Sequence, residues 1–290
     1  MIAFACSITK PDVYARCAEA GIRRVAEPDS RVHAVPAIGS IFRSYNALLD
    51  TAAGWEGLEA LALVHQDTEI VTPEFSARVR EAMADPEVGL AGCVGAVGVR
   101  SIAWWEASVT QASFINRYEE HGGGDLESFS WDWDEAPPYA RTGEVETLDG
   151  FLLVLSPWVV QNVRFDESLG QFHGYDLDFC LQVRAAGRKV VTMDVRAIHH
   201  RPLAMLPDPE QWVEAHMLVA EKWEGRTPGL DPLPGTWEER ARRAEGERDR
   251  AVAKALWHDL EAEVRVLELE RALAETKDSI SWRITAPFRR

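Results

Sequence analysis

The chain has 290 residues, of which 46% are hydrophobic and 27% are charged, and its formal net charge is -16. The length suits one large α/β domain with an appendage, and the strong negative charge argues against non-specific binding to nucleic-acid phosphates. An anionic ligand would need a local positive charge, which a bound divalent cation would supply.

The cysteines and the apolar runs give further limits. No two cysteines form a Cys-x-x-Cys pair, so we expect buried reduced thiols rather than a disulfide framework or a zinc site. The four are Cys6, Cys17, Cys93 and Cys180. The chain opens without a basic segment and a long apolar stretch, and the apolar runs at 88–99 and 150–160 are too short to span a bilayer. We therefore expect a cytoplasmic protein.

The first hundred residues alternate apolar runs with helical patterns. Residues 2–8 predict a buried strand, and Pro11 is expected to open a helix over 12–20 that Gly21 ends. The elements predicted next are a strand near 31–35, a helix over 40–53 ended by Gly54, a strand over 58–65, a helix with Thr72 as its cap and Pro73 at its first position, and one strand over 88–99. Alternation at this spacing predicts a mostly parallel sheet with helices on both faces.

The second half is less regular. Residues 100–147 are rich in Trp, Gly and acids and are interpreted as a long functional loop region. The elements predicted after it are a strand over 147–155, a helix over 175–186 ended by Gly187, and a strand over 189–193, with His199 and His200 following. The domain is expected to cover residues 1–227.

Two segments follow this domain. Residues 228–235 are predicted to form a Pro/Gly linker, and 236–290 are predicted to contain a long charged helix with a partly heptad-like register. A short coiled coil, which would permit a homodimer, and a helix docked on the body both fit this pattern. The tail, 281–290, carries three Arg among aromatic residues, which fits either a membrane-surface or partner contact at the cytoplasmic face or a frayed end.

Three polar clusters follow strands or begin a helix: 65–67, 174–178 and 199–200. In sheets of this type, ligands bind beyond the carboxyl ends of the strands. An Asp with a His can hold Mg²⁺ or Mn²⁺ and leave coordination positions for two phosphate oxygens, while a separate carboxylate takes a proton from a hydroxyl. Turn residues, first-turn acids and surface histidines are the structural alternatives.

Several stretches, in this order, carry a family resemblance. They are IFRSYN at 41–46, LVHQD at 63–67, LDGF at 148–151, RFDE at 164–167, GYDLDFCL at 174–181 with AG at 186–187, and His199. Together they resemble glycosyltransferase family 2 and its GT-A relatives, and most of all the glycosyltransferase-like domain named after a streptomycin-biosynthesis protein. The resemblance spans residues 1–205. It implies the Rossmann-like GT-A fold and a metal-dependent, inverting transfer of a sugar from a nucleoside-diphosphate sugar, most often UDP-linked, to a hydroxyl acceptor.

The resemblance also assigns roles to single residues. Asp176 would be the catalytic base. The metal ligands would be Asp67 and His199, with His200 as the alternative to His199. The residues implied for the nucleotide sugar are Ser7, Asp29, Asn46, His65, Gln66 and Asp67. Those implied for the acceptor or sugar pocket are Asp149, Gly150, Tyr175 and Asp178. A turn before a strand is the alternative for Asp149 and Gly150, and holding the start of its helix is the alternative for Asp178. Trp105 is a further candidate for this pocket, where it would stack on a sugar ring, with a packing or interface anchor as the alternative.

The sequence departs from the family pattern in four places. The usual Asp-x-Asp begins with His65, the Glu before the presumed base is Tyr175, and the Arg before the nucleotide-helix Asn is Tyr45. The Gln-x-x-Arg-Trp signature of processive synthases is absent, since Ala185 follows Arg184. A single transfer is therefore expected rather than polymer synthesis.

Two other functions stay open at this point. The incomplete metal motif is compatible with a degenerate GT-A domain that serves as a nucleotide-sugar-binding or assembly module. A nucleotidyltransferase would share the fold, but residues 3–10 lack the glycine-rich loop that such enzymes use to hold a triphosphate.

Overall fold

The computed structural model of the chain describes residues 1–97, 108–112, 114–118, 124–128, 142–201, 209–223 and 260–277. Contacts group the chain into two compact units, Met1–Thr236 and Trp237–Arg290. The predicted linker at 228–235 and the basic tail at 281–290 lie outside the described residues.

The described residues of the first unit form strands and helices that alternate over much of the chain. The strands are β1 Ile2–Ile8, β2 Val32–Pro36, β3 Ala60–Val64, β4 Thr68–Ile70, β5 Val88–Gly92, β6 Val94–Val97, β7 Ser108–Ala112, β8 Phe114–Tyr118, β9 Gly124–Ser128, β10 Thr147–Leu148, β11 Leu152–Leu155, β12 Lys189–Thr192 and β13 Ala197–Arg201. The α-helices are α1 Pro11–Arg16, α2 Ala18–Val25, α3 Ile41–Ala52, α4 Phe75–Ala82, α5 Pro157–Asn162, α6 Tyr175–Ala185 and α7 Pro209–Trp223.

A six-stranded sheet forms the centre of this unit, in the order β12-β5-β11-β3-β1-β2. β1 runs parallel to both β2 and β3, and β12 runs parallel to β5. Within this sheet β11 is antiparallel to its two neighbours. The strands β1, β3 and β11 are almost entirely buried, as expected for strands covered on both faces. The mostly parallel sheet predicted from the sequence is confirmed.

Two smaller sheets flank it, with the orders β10-β6-β7 and β4-β13-β8-β9. They correct two expectations. The apolar run at 88–99 is not one strand, because β5 belongs to the central sheet and β6 to a smaller one. The segment 100–147 is not simply a loop, because β7, β8 and β9 lie within it. An apolar run has the same hydrophobic pattern whether it serves one sheet or two, so periodicity did not reveal the break.

Gly21 was expected to end a helix, and that was wrong. It lies in the middle of α2, where a Cβ atom would overlap the backbone nitrogen of Ile70 in β4. The glycine is needed for close packing of α2 on β4 rather than for a helix end. Thr72 is likewise not the cap of α4: its hydroxyl accepts a 2.6 Å hydrogen bond from the backbone N–H of Arg196, and the helix begins at Phe75.

The second unit contains a helix, α8, over residues 260–277. Its large apolar side chains are exposed at Leu260, Val266, Leu267, Leu269 and Leu273. The coiled coil and the homodimer expected for this helix stay predictions. Among the described residues, no helix is both long and apolar enough to cross a bilayer.

The contact of α2 with β4 gives a stability prediction. Gly21→Ala should lower the free energy of unfolding by about 1–3 kcal/mol, because the added methyl group collides with backbone atoms that cannot rotate away. A helix-interior Gly→Ala change without such a clash would instead stabilise by roughly 0.5–1 kcal/mol. Urea denaturation measures the difference.

Gly54→Ala is the matched control, since its Cβ would meet its nearest neighbour at an ordinary 3.7 Å. A Gly21→Ala variant as stable as the unmodified protein would contradict the close approach of α2 to β4.

Candidate metal centre

The centre begins at the carboxyl end of β3, in the middle of the central sheet. His65, Gln66 and Asp67 follow the last strand residue, Val64. The Gln66 side chain fixes this turn: its Oε1 accepts 2.8 Å hydrogen bonds from the backbone N–H groups of Thr9 and Lys10, and its Nε2 donates to the Thr9 hydroxyl. Gln66, expected near the nucleotide, therefore ties the end of β3 to the end of β1. Ser7 lies in β1 just before this junction.

The partner histidine arrives on β13. This strand pairs antiparallel with β4, with His199 opposite Thr68, and the backbone N–H of His200 donates a 2.8 Å hydrogen bond to the Asp67 carbonyl. The His199 Nε2 atom consequently stands 3.6 Å from Asp67 Oδ1. His200 points elsewhere, with its Nε2 3.4 Å from a carboxylate oxygen of Glu69. Of the two histidines that the sequence left open, His199 is the one brought to Asp67.

The third member of the cluster is His65, which the sequence analysis had placed with the nucleotide sugar. One donor atom each from His65, Asp67 and His199 lies within 4.8 Å of the others. The carboxylate Oδ1 of Asp67 is 3.9 Å from Nδ1 of His65. Two imidazoles and one carboxylate can bind a divalent transition-metal ion such as Mn²⁺.

The surroundings of His199 are compatible with a bound cation. Its Nδ1 is buried and has no hydrogen-bond partner among the described residues, and its Nε2 lies farther from Asp67 than a hydrogen bond reaches. The ring is held instead by packing on Phe151, with 4.8 Å between ring centroids. Nε2 is therefore the ring nitrogen that faces the Asp67 carboxylate, and this geometry is compatible with both groups binding one cation.

The charge of Asp67 also suits a cation. Burial by itself raises the pKa of this carboxyl, but its interaction with His199 and the charge of His65 outweigh that effect and hold the pKa well below its ordinary value of 3.8. Asp67 is therefore an anion at neutral pH, which a divalent ion requires of its carboxylate ligand.

The predicted base, Asp176, lies in the first turn of α6, directly after Tyr175. Its Oδ2 accepts a 3.0 Å hydrogen bond from the backbone N–H of Gly150, and its Oδ1 accepts one of 2.9 Å from that of Leu177. Burial raises the pKa of Asp176 to about 7, and the negative charge of Asp149 adds to the shift. Asp149 itself begins the turn that separates β10 from β11, where its Oδ1 accepts a 3.3 Å hydrogen bond from the backbone N–H of Phe151.

Tyr175, expected in the acceptor pocket, contacts His65 directly. Its hydroxyl and the His65 Nε2 atom form a 2.6 Å hydrogen bond. A Cβ atom on Gly150 would overlap the same hydroxyl, so the tyrosine occupies the space that a side chain at position 150 would fill.

Asp178 was expected to shape the acceptor pocket or hold the start of its helix, but the structure gives it another place. The side chain is 1% exposed. Its Oδ1 accepts a hydrogen bond from Trp223 Nε1 at 2.7 Å and forms a 2.8 Å ion pair with Lys222. Its Oδ2 accepts from Gln182. The carboxylate thus attaches α7 to α6 and does not line an open pocket.

Two residues expected near the nucleotide are engaged elsewhere. Asn46 clamps the backbone of Phe165, accepting from its N–H at 2.8 Å and donating to its carbonyl at 2.9 Å. Asp29 precedes β2 and lies 3.9 Å from the N-terminal ammonium, at the amino end of β1. The metal cluster lies at the opposite, carboxyl end of the strands, so the structure does not bring Asp29 together with it.

Two aromatic residues, Trp105 and Phe172, also bear on the site. Trp105, expected in the acceptor pocket, lies outside the described residues. Phe172 was missed by the sequence analysis: its ring is half exposed and lies 6.4 Å from that of His65. The signal that could have found it is a large apolar residue inside the polar, glycine-flanked loop before α6.

Comparisons with known proteins identify the family of this chain. The family model described as "Glycosyltransferase like family" matches residues 3–214. The chain belongs to this family, and its fold is the GT-A fold.

Two known proteins are similar to the chain in sequence, and one solved structure is similar in fold. The chain is 28% identical over 205 residues to the streptomycin biosynthesis protein StrF of Streptomyces griseus, covering 69% of this chain and 66% of that protein. It is 27% identical over 181 residues to the O-antigen biosynthesis protein RfbC of Myxococcus xanthus, covering 59% of this chain but 13% of that protein. A crystal structure of GalNAc-T7 with UDP, GalNAc and Mn²⁺ superposes with a TM-score of 0.53 at 10% identity, over 86% of this chain and 54% of that one.

The raised pKa of Asp176 predicts a pH dependence of stability. The folded state keeps this proton up to about pH 7, whereas the unfolded chain releases it near 3.8. The contribution of Asp176 to the free energy of unfolding is therefore complete below pH 3.8 and is lost as the pH rises toward about 7. Asp176→Asn lacks this titration. As the pH rises across that range, the free energy of unfolding of the variant should therefore increase relative to that of the unmodified protein. Urea denaturation of both proteins over this range is the measurement, and parallel pH profiles would contradict the assignment.

Proposed function

We propose that this chain is a metal-dependent, non-processive glycosyltransferase that moves a sugar, with inversion, from a nucleoside-diphosphate sugar to a hydroxyl acceptor. The observation that carries the proposal is the convergence of His65, Asp67 and His199 at the carboxyl end of β3, in a chain of the glycosyltransferase-like family. This edge of an α/β sheet is where ligands bind.

The proposed metal ligands are His65 Nδ1, Asp67 Oδ1 and His199 Nε2. Two of these three donors are imidazole nitrogens, so we propose Mn²⁺ rather than Mg²⁺, which strongly prefers oxygen. Bound there, the ion would neutralise the diphosphate of the donor as it leaves. Three protein ligands leave coordination positions for phosphate oxygens, and the Gln66 hydrogen bonds keep the turn that carries two of the ligands in place.

Asp176 is the proposed general base. Inversion by direct displacement needs a carboxylate that takes the proton from the attacking hydroxyl. A pKa of about 7 suits that task at neutral pH, and the backbone N–H groups of Gly150 and Leu177 hold the two oxygens in a fixed orientation. The half-exposed ring of Phe172 offers an apolar surface beside the cluster for a sugar or a base.

For the donor we propose UDP first. The GalNAc-T7 structure holds UDP, and dTDP and GDP are the alternatives. The chain spans 66% of StrF and 13% of RfbC, so activities of those whole proteins are not carried over. Surface polysaccharide, lipid-linked glycan and natural-product hydroxyls are the acceptor classes to screen.

The metal assignment predicts that Asp67→Ala weakens Mn²⁺ and UDP binding together, because the variant loses the anionic ligand and with it the ion that would attract the diphosphate. Thermal-shift titration with nucleoside diphosphates, with and without Mn²⁺, measures both, since a ligand that binds only the folded state raises the unfolding temperature.

Asp194→Ala is the matched control, because Asp194 also follows a strand of the central sheet but is exposed. Unchanged UDP binding by Asp67→Ala in the presence of Mn²⁺ would count against the site. No nucleotide binding by the unmodified protein would favour a degenerate assembly module instead.

The catalytic assignment predicts that Asp176→Asn lowers the transfer rate by roughly 10²–10⁴-fold, the usual contribution of a general base, with little change in donor binding. Asp12→Asn is the control, since Asp12 is also a first-turn acid but lies exposed on α1. Turnover by the Asp176→Asn variant close to that of the unmodified protein would rule out the role.

A further inference from the structure

The two ring nitrogens of His65 face different partners, one in the metal cluster and one in the group of aromatic rings around Tyr175. Its Nδ1 lies on the side of Asp67 Oδ1, at 3.9 Å. Its Nε2 is 2.6 Å from the hydroxyl of Tyr175. Only Nδ1 is therefore directed toward the proposed cation, and the tyrosine engages the other nitrogen.

The hydroxyl of Tyr175 is held in place by packing. The ring is buried, and it lies at 5.8 Å from Tyr45, 6.1 Å from Phe165 and 6.2 Å from Phe42 between ring centroids. Such packing fixes the direction of the phenol oxygen far better than a flexible polar side chain would. The tyrosine is also the first residue of α6, directly after Gly174, whose φ of 76° requires a glycine.

Gly150 completes the arrangement from the other side. A Cβ atom at this position would overlap both the phenol oxygen and the carbon that bears it. The absence of a side chain at position 150 is what lets the hydroxyl reach His65. The backbone N–H of the same glycine donates to Asp176, so one short turn supports both the proposed base and the partner of the proposed ligand.

Metal-binding imidazoles usually donate their second N–H to a hydrogen-bond acceptor, which fixes the tautomer and the ring orientation. If Nδ1 binds a cation, the proton of a neutral imidazole is on Nε2, and that N–H donates to the phenol oxygen of Tyr175. Two of the four departures of this sequence from its family pattern, His65 in the metal motif and Tyr175 before the base, are thus in contact with each other.

We propose that Tyr175 is the positioning residue of the metal centre: its hydroxyl holds the His65 ring and tautomer that present Nδ1 to the cation bound with Asp67 and His199. This inference rests on the proposed metal site. It gives Tyr175 a role different from lining the acceptor pocket, and it explains how a histidine replaces a carboxylate in the metal motif.

The test is a titration of the full chain with Mn²⁺ alone, in which free Mn²⁺ is followed by electron paramagnetic resonance. Tyr175→Phe keeps the ring and its packing but removes the oxygen. It should weaken Mn²⁺ binding by about 10- to 100-fold, the usual effect of losing such an outer partner. The unfolding temperature without metal should fall by only about 2–4 °C, the effect of losing roughly one hydrogen bond, which separates positioning from a general loss of structure.

Tyr45→Phe is the matched control, since Tyr45 belongs to the same aromatic cluster and its ring lies 6.4 Å from His65, while the 2.6 Å bond to Nε2 comes from Tyr175. It should bind Mn²⁺ as the unmodified protein does. The visible absorption spectrum of bound Co²⁺ provides a second readout, because a rotated His65 ring changes the ligand field.

A double-mutant cycle tests whether Tyr175 acts through His65. In a His65→Ala background, Tyr175→Phe should have no further effect on Mn²⁺ affinity, giving a strongly non-additive pair. Equal Mn²⁺ affinity of Tyr175→Phe and the unmodified protein would overturn this inference while leaving the metal site intact. Equal losses with and without His65 would also overturn it. Failure of the unmodified protein to bind Mn²⁺ would overturn both this inference and the metal site itself.

Discussion

The candidate metal centre of His65, Asp67 and His199 depends on one strand pairing, between β4 and β13. This pairing places His199 opposite Thr68 and bonds the backbone of His200 to that of Asp67. Successive side chains in a strand point to opposite faces, so a slip of one residue would present His200 to Asp67 and direct His199 away. Ile70 and Ala197, both buried and paired with each other, hold the register. The rest of the site is built around the position that this pairing gives to His199.

Aromatic rings supply much of the support around that position. Phe151 packs on His199, and Tyr175 both packs in the core and bonds His65. Rigid rings cannot adjust as flexible side chains can, which favours fixed ligand positions over adaptable ones. The turn at Gly150 lies against both Tyr175 and Asp176. Because Gly150 has no side chain, the Tyr175 hydroxyl can pack against it, and its backbone N–H donates to Asp176. The orientations of the proposed base and of the proposed ligand are therefore linked.

The first turn of α6 shows how one short motif serves three purposes. Successive residues in a helix point about 100° apart, so Tyr175, Asp176 and Asp178 face different surroundings. Tyr175 faces the metal cluster, Asp176 faces the turn at Gly150, and Asp178 faces α7. The buried charge of Asp178 is matched by Lys222, which also pairs with Asp166 at 2.6 Å. Removing one partner from such a buried ion pair costs folding free energy, so Asp178 and Lys222 serve to hold α7 against α6.

The sequence by itself determined the alternation of strands and helices, the mostly parallel sheet, the family resemblance, and a cluster at Asp67 with one of two adjacent histidines. These follow from local patterns and from residues close together in the chain. Only the tertiary structure decided that His199 rather than His200 reaches Asp67, that His65 joins the cluster, and that Asn46, Asp29 and Asp178 are engaged elsewhere. Each of those outcomes depends on contacts between residues distant in sequence, such as the register of β13 on β4 or the approach of Tyr175 to His65. Periodicity and composition carry no information about such pairings, because the same pattern of residues is compatible with more than one register and more than one partner.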